Sequence, residues 1–181
     1  MGVLPEDHLP RLGPENYRGR TFVHWTFNFK NRSSGWLTPA FHVTWQRLLV
    51  HTCARYALAC PCYVLMPDHI HLLWVGLHET VSDQRIALEF LRKHLRPTIA
   101  PHEWQRQAYD HVLRVHEYEK NAFAAVAYYI LENPCRAELV TEACRYSYSG
   151  CCIPGYPDLD LWDQNYWDLF WRIYGRFVDS R

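Results

Sequence analysis

The chain has 181 residues, the length of one domain with room for an appendage. Its 49% hydrophobic and 21% charged residues predict a folded core and exclude general disorder. Nineteen basic and nineteen acidic residues give a formal net charge of zero, so composition alone gives no support for binding a polyanion such as nucleic acid.

The first elements are an arm, a strand and a helix. Residues 1–20 are rich in proline and glycine and predict an irregular N-terminal arm. From Thr21 to Lys30 apolar and polar residues alternate, which predicts a half-buried strand. Thr38 and Pro39 are residue types typical of a helix N-cap and a first helical position. The apolar stripe of this helix is Phe41, Trp45, Leu48, Leu49 and Tyr56.

A hairpin follows. Leu58 to Met66 is apolar throughout, which predicts a buried central strand. Pro67 and Asp68 predict a tight turn, and His69 to Val75 predicts a third strand that returns beside the second. The two strands should therefore be neighbours in one sheet.

A second helix is predicted next. Thr80 with Asp83 resembles a capping box that opens it. Because Pro97 restricts the residue before it, this helix is expected to end by Arg96.

A fourth strand is predicted within residues 104–115, and a third helix from near Glu117 to near Asn133, where Pro134 should stop it. The order β-α-β-β-α-β-α predicts an α+β fold, a ferredoxin-like sandwich with an antiparallel-dominated sheet. We place the main domain at residues 21–150. Residues 151–181 are expected to be an aromatic-rich C-terminal tail with a short helix packed back on the domain.

Seven cysteines are odd in number and match no zinc-ligand spacing, so we expect reduced thiols. The start of the chain has no apolar run of the signal-peptide kind, and no stretch is long and apolar enough to span a membrane. These features predict a cytoplasmic protein with no membrane partner.

Basic residues concentrate near the N-terminus. From residue 11 to residue 32 there are five bases and one acid, a local charge of +4. The bases are Arg11, Arg18, Arg20, Lys30 and Arg32, and the acid is Glu15. A solvated basic edge and a phosphate-contacting surface both fit this pattern.

His69 and His71 are two residues apart on the predicted third strand, so both imidazoles should project from one face. Two imidazoles on one rigid face are half of a metal site. The spacing is weak by itself, because a chain with 11 histidines produces such pairs by chance.

Tyr129 and Asn133 are four residues apart on the predicted third helix and should share a face. The phenol is a candidate nucleophile and the amide a candidate metal ligand. The alternative is a core aromatic followed by a capping residue. Tyr128 should point about 100° away round the helix.

Three segments together resemble the single-tyrosine HUH transposases. Residues 66–73 resemble the family's histidine-hydrophobe-histidine motif, and residues 129–137 its tyrosine-helix motif, with Cys135 where valine is usual. Residues 104–114 resemble the segment before that helix. The likeness extends over about residues 21–149, and the subgroup that matches best is the REP-associated tyrosine transposases.

This resemblance implies an HUH endonuclease fold and an enzyme that cleaves and rejoins single-stranded DNA at hairpins. Tyr129 would form a 5′-phosphotyrosine, and His69, His71 and Asn133 would hold Mg²⁺ or Mn²⁺. A monomer is slightly favoured over a homodimer, and no nucleotide cofactor is expected because the chain has no phosphate-binding loop motif. The expected DNA contacts are Arg18, Arg20, Lys30, Arg32, Arg114 and Arg136.

Other interpretations stay open. His111 fits a further ligand, a phosphate contact or a structural histidine. The whole chain also fits a domesticated protein that binds hairpin DNA without cutting it. An RNA-binding domain of the RRM kind would need an aromatic motif that is not found. An unrelated metal hydrolase would use a water nucleophile and would not depend on Tyr129.

Overall fold

The computed structural model describes residues 12–113 and 120–179. One antiparallel sheet contains the five strands β1 (Phe22–Asn28), β2 (Leu58–Met66), β3 (His69–Gly76), β4 (Tyr109–Leu113) and β5 (Ser149–Cys152). Their order is β4-β1-β3-β2-β5, and every neighbouring pair is antiparallel. The first four strands have the ferredoxin-like order, which confirms the predicted fold class.

Helices cover both faces of the sheet. They are α1 (Pro39–Arg55), α2 (Gln84–Ile99), α3 (Lys120–Leu131), α4 (Asn133–Arg136) and α5 (Tyr166–Asp179). Buried side chains of α1 and α2 share one core with one face of the sheet, and those of α3 and α5 share a second core with the other. Among the described residues, no helix is long and apolar enough to cross a membrane.

The alternation along β1 divides the two layers. Val23, Trp25 and Phe27 pack into the core beneath α1 and α2. His24 and Thr26 project from the opposite face of the sheet, as alternation along a strand requires. The half-buried strand predicted from the sequence is confirmed, and its polar face is the floor of the candidate site.

The C-terminal helix packs back on the domain, as predicted. Phe170 of α5 lies 5.9 Å from Phe123 of α3, ring centre to ring centre, and Tyr174 lies 5.6 Å from Phe22 of β1. Strand β5 was not predicted, and the expected boundary at residue 150 falls within it. In the predicted arm, residues 14–17 form a 3₁₀ helix whose Tyr17 is fully buried.

The prediction for the second helix was wrong at both ends. Asp83 is itself the N-cap, because its carboxylate accepts hydrogen bonds from the amides of Arg85 and Ile86. The helix continues through Pro97 to Ile99. A proline in the last turn removes few intrahelical bonds, and burial of Leu95 and Ile99 on either side holds the turn in place.

The helix that carries Tyr129 behaves largely as predicted. Helix α3 is described from Lys120 and ends at Leu131, while the predicted start near Glu117 lies outside the described residues. Pro134 then occupies the first turn of the short helix α4. Proline is tolerated there because an N-terminal amide has no intrahelical partner.

Candidate active site

Two histidine side chains meet on the central strand β3. His69 and His71 project from the same face, with their Nε2 atoms 3.0 Å apart and their rings nearly perpendicular. Ile70 lies between them in the chain and is fully buried in the opposite core. The predicted common face is therefore present, and it turns both Nε2 lone pairs towards one point.

An acidic side chain orients His69. Oδ1 of Asp68 lies 2.6 Å from Nδ1 of His69. Arg32 holds that carboxylate from its other side, with Nε 3.1 Å from Oδ2, and also donates a hydrogen bond to Oδ1 of Asn28. A carboxylate on Nδ1 fixes the ring orientation and leaves Nε2 as the free donor atom.

A second histidine and a hydroxyl orient His71. Its Nδ1 lies 3.0 Å from Nε2 of His24 and 3.2 Å from Oγ1 of Thr26. Thr26 is the direct partner of His71 across the β1–β3 ladder, which places its hydroxyl beside the ring. His71 is only 4% exposed, so this polar contact takes the place of water.

Burial keeps these two imidazoles neutral. It is the main reason why the pKa of His71 falls to about 2, with His24, His69 and Arg136 lowering it further and a hydrogen bond with Asn133 opposing them. Burial also lowers the pKa of His24 to about 4, with a smaller effect of His111. A neutral imidazole keeps the lone pair that a metal ion requires.

Tyr129 lies above this row of histidines. Its ring centre is 5.8 Å from that of His71 and 5.9 Å from that of His24, both in edge-on geometry. The side chain is 46% exposed, so it is not the core aromatic of the alternative interpretation. Tyr128, its neighbour, is 67% exposed and has no ring contact with the histidines.

Asn133 is both a capping residue and a neighbour of His71. Its Nδ2 donates to the carbonyls of Tyr129, at 2.8 Å, and Ile130, at 3.2 Å, and so closes the end of α3. Its hydrogen bond with His71 raises the pKa of that ring, the effect of an oxygen that accepts from an imidazolium. The residue that closes α3 therefore also lies beside His71.

Arg136 supports the tyrosine directly. Its guanidinium carbon lies 4.2 Å from the centre of the Tyr129 ring, and its Nη2 donates to the Tyr129 carbonyl at 2.6 Å. The cation is thus within the site, where it can stabilise an anion beside the phenol.

The other predicted DNA contacts are more scattered. Lys30 pairs with Glu103 near the site end of β1. Arg18 pairs with Asp83, and Arg20 donates to the Val178 carbonyl of α5, both beyond the opposite end of β1. Arg114 lies outside the described residues.

His111 stands at the far end of the histidine row. It pairs with His24 across the β1–β4 ladder, so β1 separates it from His71 on β3. Its position places it behind His24 rather than beside the His69 and His71 nitrogens.

Sequence reasoning missed His24 and Thr26, and it treated Asp68 only as a turn residue. The signal for the first two was present, because they occupy the polar face of the alternating strand. Their contact with His71 depends on the register of β1 against β3, which a single sequence does not contain.

Within residues 12–113 and 120–179, no three or more His, Cys, Asp or Glu side chains are arranged to hold a metal ion. A metal here would therefore need the two histidines, an amide oxygen, and oxygens from water or substrate. The 3.0 Å between the Nε2 atoms fits this geometry. Two ligands at about 2.1 Å and at right angles are separated by about 3.0 Å.

A histidine pair on the central strand of an antiparallel sheet, with a tyrosine helix beside it, is the arrangement of the HUH transposase fold. A solved structure of a REP-associated tyrosine transposase bound to a REP hairpin matches with a TM-score of 0.66. The two sequences are 18% identical, and the match covers 79% of this chain and 81% of the transposase chain. The chain thus has the fold of a REP-associated tyrosine transposase, as the motifs predicted. No protein-family model and no curated protein sequence matches it.

Proposed function

We propose that this protein is a metal-dependent, single-stranded DNA transposase that cleaves and rejoins DNA at hairpins through a 5′-phosphotyrosine on Tyr129. The observation that carries the proposal is the position of the Tyr129 ring, in edge-on contact with His71 and close to the His69–His71 pair. A half-exposed phenol beside two converging imidazole nitrogens is hard to explain by packing.

The chemistry is a reversible phosphoryl transfer. Oη of Tyr129 attacks the scissile phosphorus and loses its proton, and the bond to the 3′-oxygen breaks, so that oxygen leaves and takes up a proton. The product is a 5′-phosphotyrosine and a free 3′-hydroxyl. A second 3′-hydroxyl can reverse the step without a nucleotide cofactor, because the phosphodiester energy is kept in the tyrosine link.

His69, His71 and Asn133 are the residues proposed to hold Mg²⁺ or Mn²⁺. A bound ion would polarise the scissile phosphate and stabilise charge on the leaving oxygen. The protein's own contribution is orientation. Asp68 fixes the ring of His69, and His24 with Thr26 fixes that of His71. The nitrogen of Asn133 holds the end of α3, and its oxygen is the proposed ligand atom.

Single-stranded hairpin DNA is the proposed substrate. The solved transposase of the same fold is bound to a hairpin, and Tyr129 is exposed enough to meet a backbone from outside. Arg136 lies beside the phenol, where it can pair with a phosphate oxygen. An unpaired backbone can bend into this site more easily than a rigid duplex.

The proposal is tested with labelled hairpin oligonucleotides that have single-stranded flanks, taken from the DNA around the gene. After incubation with Mg²⁺ or Mn²⁺, a denaturing gel should reveal a covalent protein–DNA band. The band should be absent with a perfect duplex and with excess chelator. Hairpin binding without a band would favour the non-cleaving DNA-binding protein, and a band in excess chelator would refute the metal requirement.

A further inference from the structure

A cleft of about 820 Å³ lies between the C-terminal half of α2 and residues 99–106, which lead towards β4. Four cationic side chains line it against two acids, a net charge of +2. They are Arg92, Lys93, Arg96 and Arg106, against Glu89 and Glu103. Because the whole chain has a formal charge of zero, this cleft concentrates positive charge.

Three of these cations are exposed and form no ion pair with any other described residue: Lys93, Arg96 and Arg106. Three of the cations predicted from the sequence differ in this respect, since Arg18, Lys30 and Arg32 each pair with an acid of the protein itself. A cation without an internal partner is free to pair with an external phosphate.

The wall of the cleft is fixed by Arg92 and Trp104. The Arg92 guanidinium lies 5.8 Å from the Trp104 ring and donates to the Gln105 carbonyl. Nε1 of Trp104 donates in return to the Arg92 carbonyl at 3.1 Å. The indole is buried in the wall, so the exposed cations Lys93, Arg96 and Arg106 are the groups that a charged ligand would meet. Such a surface suits a phosphate backbone and does not discriminate between bases.

The segment that lines the cleft is bonded to the end of β1 nearest the candidate active site. The amide of Gln105 donates to the carbonyl of Asn28 at 2.9 Å, and the amide of Lys30 donates to that of Glu103 at 2.8 Å. Asn28 is also the ladder partner of His69. The main chain of residues 103–105 therefore contacts the end of β1 beside His69 and also lines the cationic cleft.

We propose that this cleft binds the phosphate backbone of the DNA strand that extends beyond the Tyr129 site, through Lys93, Arg96 and Arg106. The inference rests on the proposed function, because it takes the strand from that site. It adds a second, sequence-independent contact region round the end of the sheet, on the side of α2.

The test uses the Tyr129→Phe protein, so that binding is measured without cleavage. Affinity is measured by fluorescence anisotropy for a hairpin oligonucleotide with minimal flanks, and for versions extended by about 8 nucleotides on either side. One extension should tighten binding to this parent protein. The triple variant Lys93→Gln/Arg96→Gln/Arg106→Gln should lose that gain.

Salt dependence gives a second measure. Each phosphate contact with a single strand contributes about 0.7 to the slope of log affinity against log salt concentration. The triple variant should therefore lower the slope for the extended oligonucleotide by about 2. The matched control is Arg47→Gln/Arg172→Gln/Arg176→Gln, which removes the same charge from exposed sites on α1 and α5.

Equal losses in the two triple variants would overturn the inference. So would an equal loss for extended and unextended DNA in the cleft variant. Both outcomes leave the covalent band of the Tyr129 protein untouched, so they do not bear on the proposed cleavage. If the wild-type protein gave no covalent band but the cleft variant still had a lower salt slope than its parent, cleavage would be refuted and the cleft would stand as a DNA-binding site.

Discussion

The polar groups on the two faces of β1 are satisfied by different kinds of partner. On one face Trp25 is fully buried, and its indole N–H donates to the Gln84 side chain at 3.1 Å. On the other face His24 and Thr26 lie within hydrogen-bonding distance of a further polar ring, that of His71. The first face closes a core, whereas the second holds neutral imidazoles beside the half-exposed ring of Tyr129. The comparison separates residues that stabilise the fold from residues that belong to the proposed active site.

The largest expected effect is the loss of cleavage in Tyr129→Phe, on the side of the sheet that carries His24 and His71 (the reactive face). Losing the nucleophilic oxygen should reduce the covalent band by at least about 10³-fold. The ring is kept, so the free energy of unfolding should change by less than about 0.5 kcal/mol. Denaturing gels and urea titration measure the two effects. Tyr128→Phe is the control and should keep the band; the reverse result would refute the assignment of the nucleophile.

Trp25→Ala, on the core-facing side of β1, should reduce stability strongly and cleavage only slightly. It leaves a cavity beneath α1 and α2 and removes the indole N–H that donates to Gln84, so the free energy of unfolding should fall by about 3–5 kcal/mol. Cleavage per folded molecule should fall far less than in Tyr129→Phe. If Trp25→Ala left stability unchanged, the two faces would not differ as described.

The metal-free protein should lose stability in mild acid through the reactive face. His24 and His71 have lowered pKa values in the fold, whereas an unfolded histidine titrates near 6.5. As the pH falls below 6.5, these histidines bind protons in the unfolded state but stay neutral in the folded state. Each imidazole then lowers the free energy of unfolding by about 1.4 kcal/mol per pH unit. For His24 this loss continues down to about pH 4, its pKa in the folded state.

Urea unfolding at pH 7, 6 and 5 measures this slope. His24→Phe should lower it by the contribution of one imidazole. An unchanged slope in that variant would mean that His24 is not buried in its neutral form.

The smallest expected effect concerns the residues that orient His71. His24→Phe keeps a ring but removes the nitrogen that lies 3.0 Å from Nδ1 of His71. Mn²⁺ affinity, followed by electron paramagnetic resonance, should fall by about 10–100-fold. Thr26→Val should cost less, because His24 still contacts that nitrogen. His111→Phe should leave the affinity unchanged; a comparable loss there would make His111 a ligand.

Much of the fold was predictable because local signals and burial agree. The bounds of β2 follow from its uninterrupted apolar run, and the start of α1 follows from Thr38 and Pro39. Strand β5 was not predictable in the same way. Its four residues have little alternation, and they become a strand only by pairing with the edge of β2.

The candidate site was predictable only in part, for a related reason. His69, His71, Tyr129 and Asn133 were suggested by local spacing and singled out by the resemblance of two short segments to family motifs. His24 needs the register between strands, and the cationic cleft needs α2 to meet the segment after it. The prediction that α2 ends before Pro97 was wrong because two buried side chains outweighed a local preference.

The contact between Tyr129 and His71 joins two parts of one polypeptide, and this has a genetic consequence. Every group proposed for cleavage is present in a single copy of the chain, with the Tyr129 carbonyl held by Asn133 and Arg136 of that same copy. A mixture of Tyr129→Phe and His71→Ala proteins should therefore fail to complement. Cleavage by the wild-type protein should rise in direct proportion to its concentration.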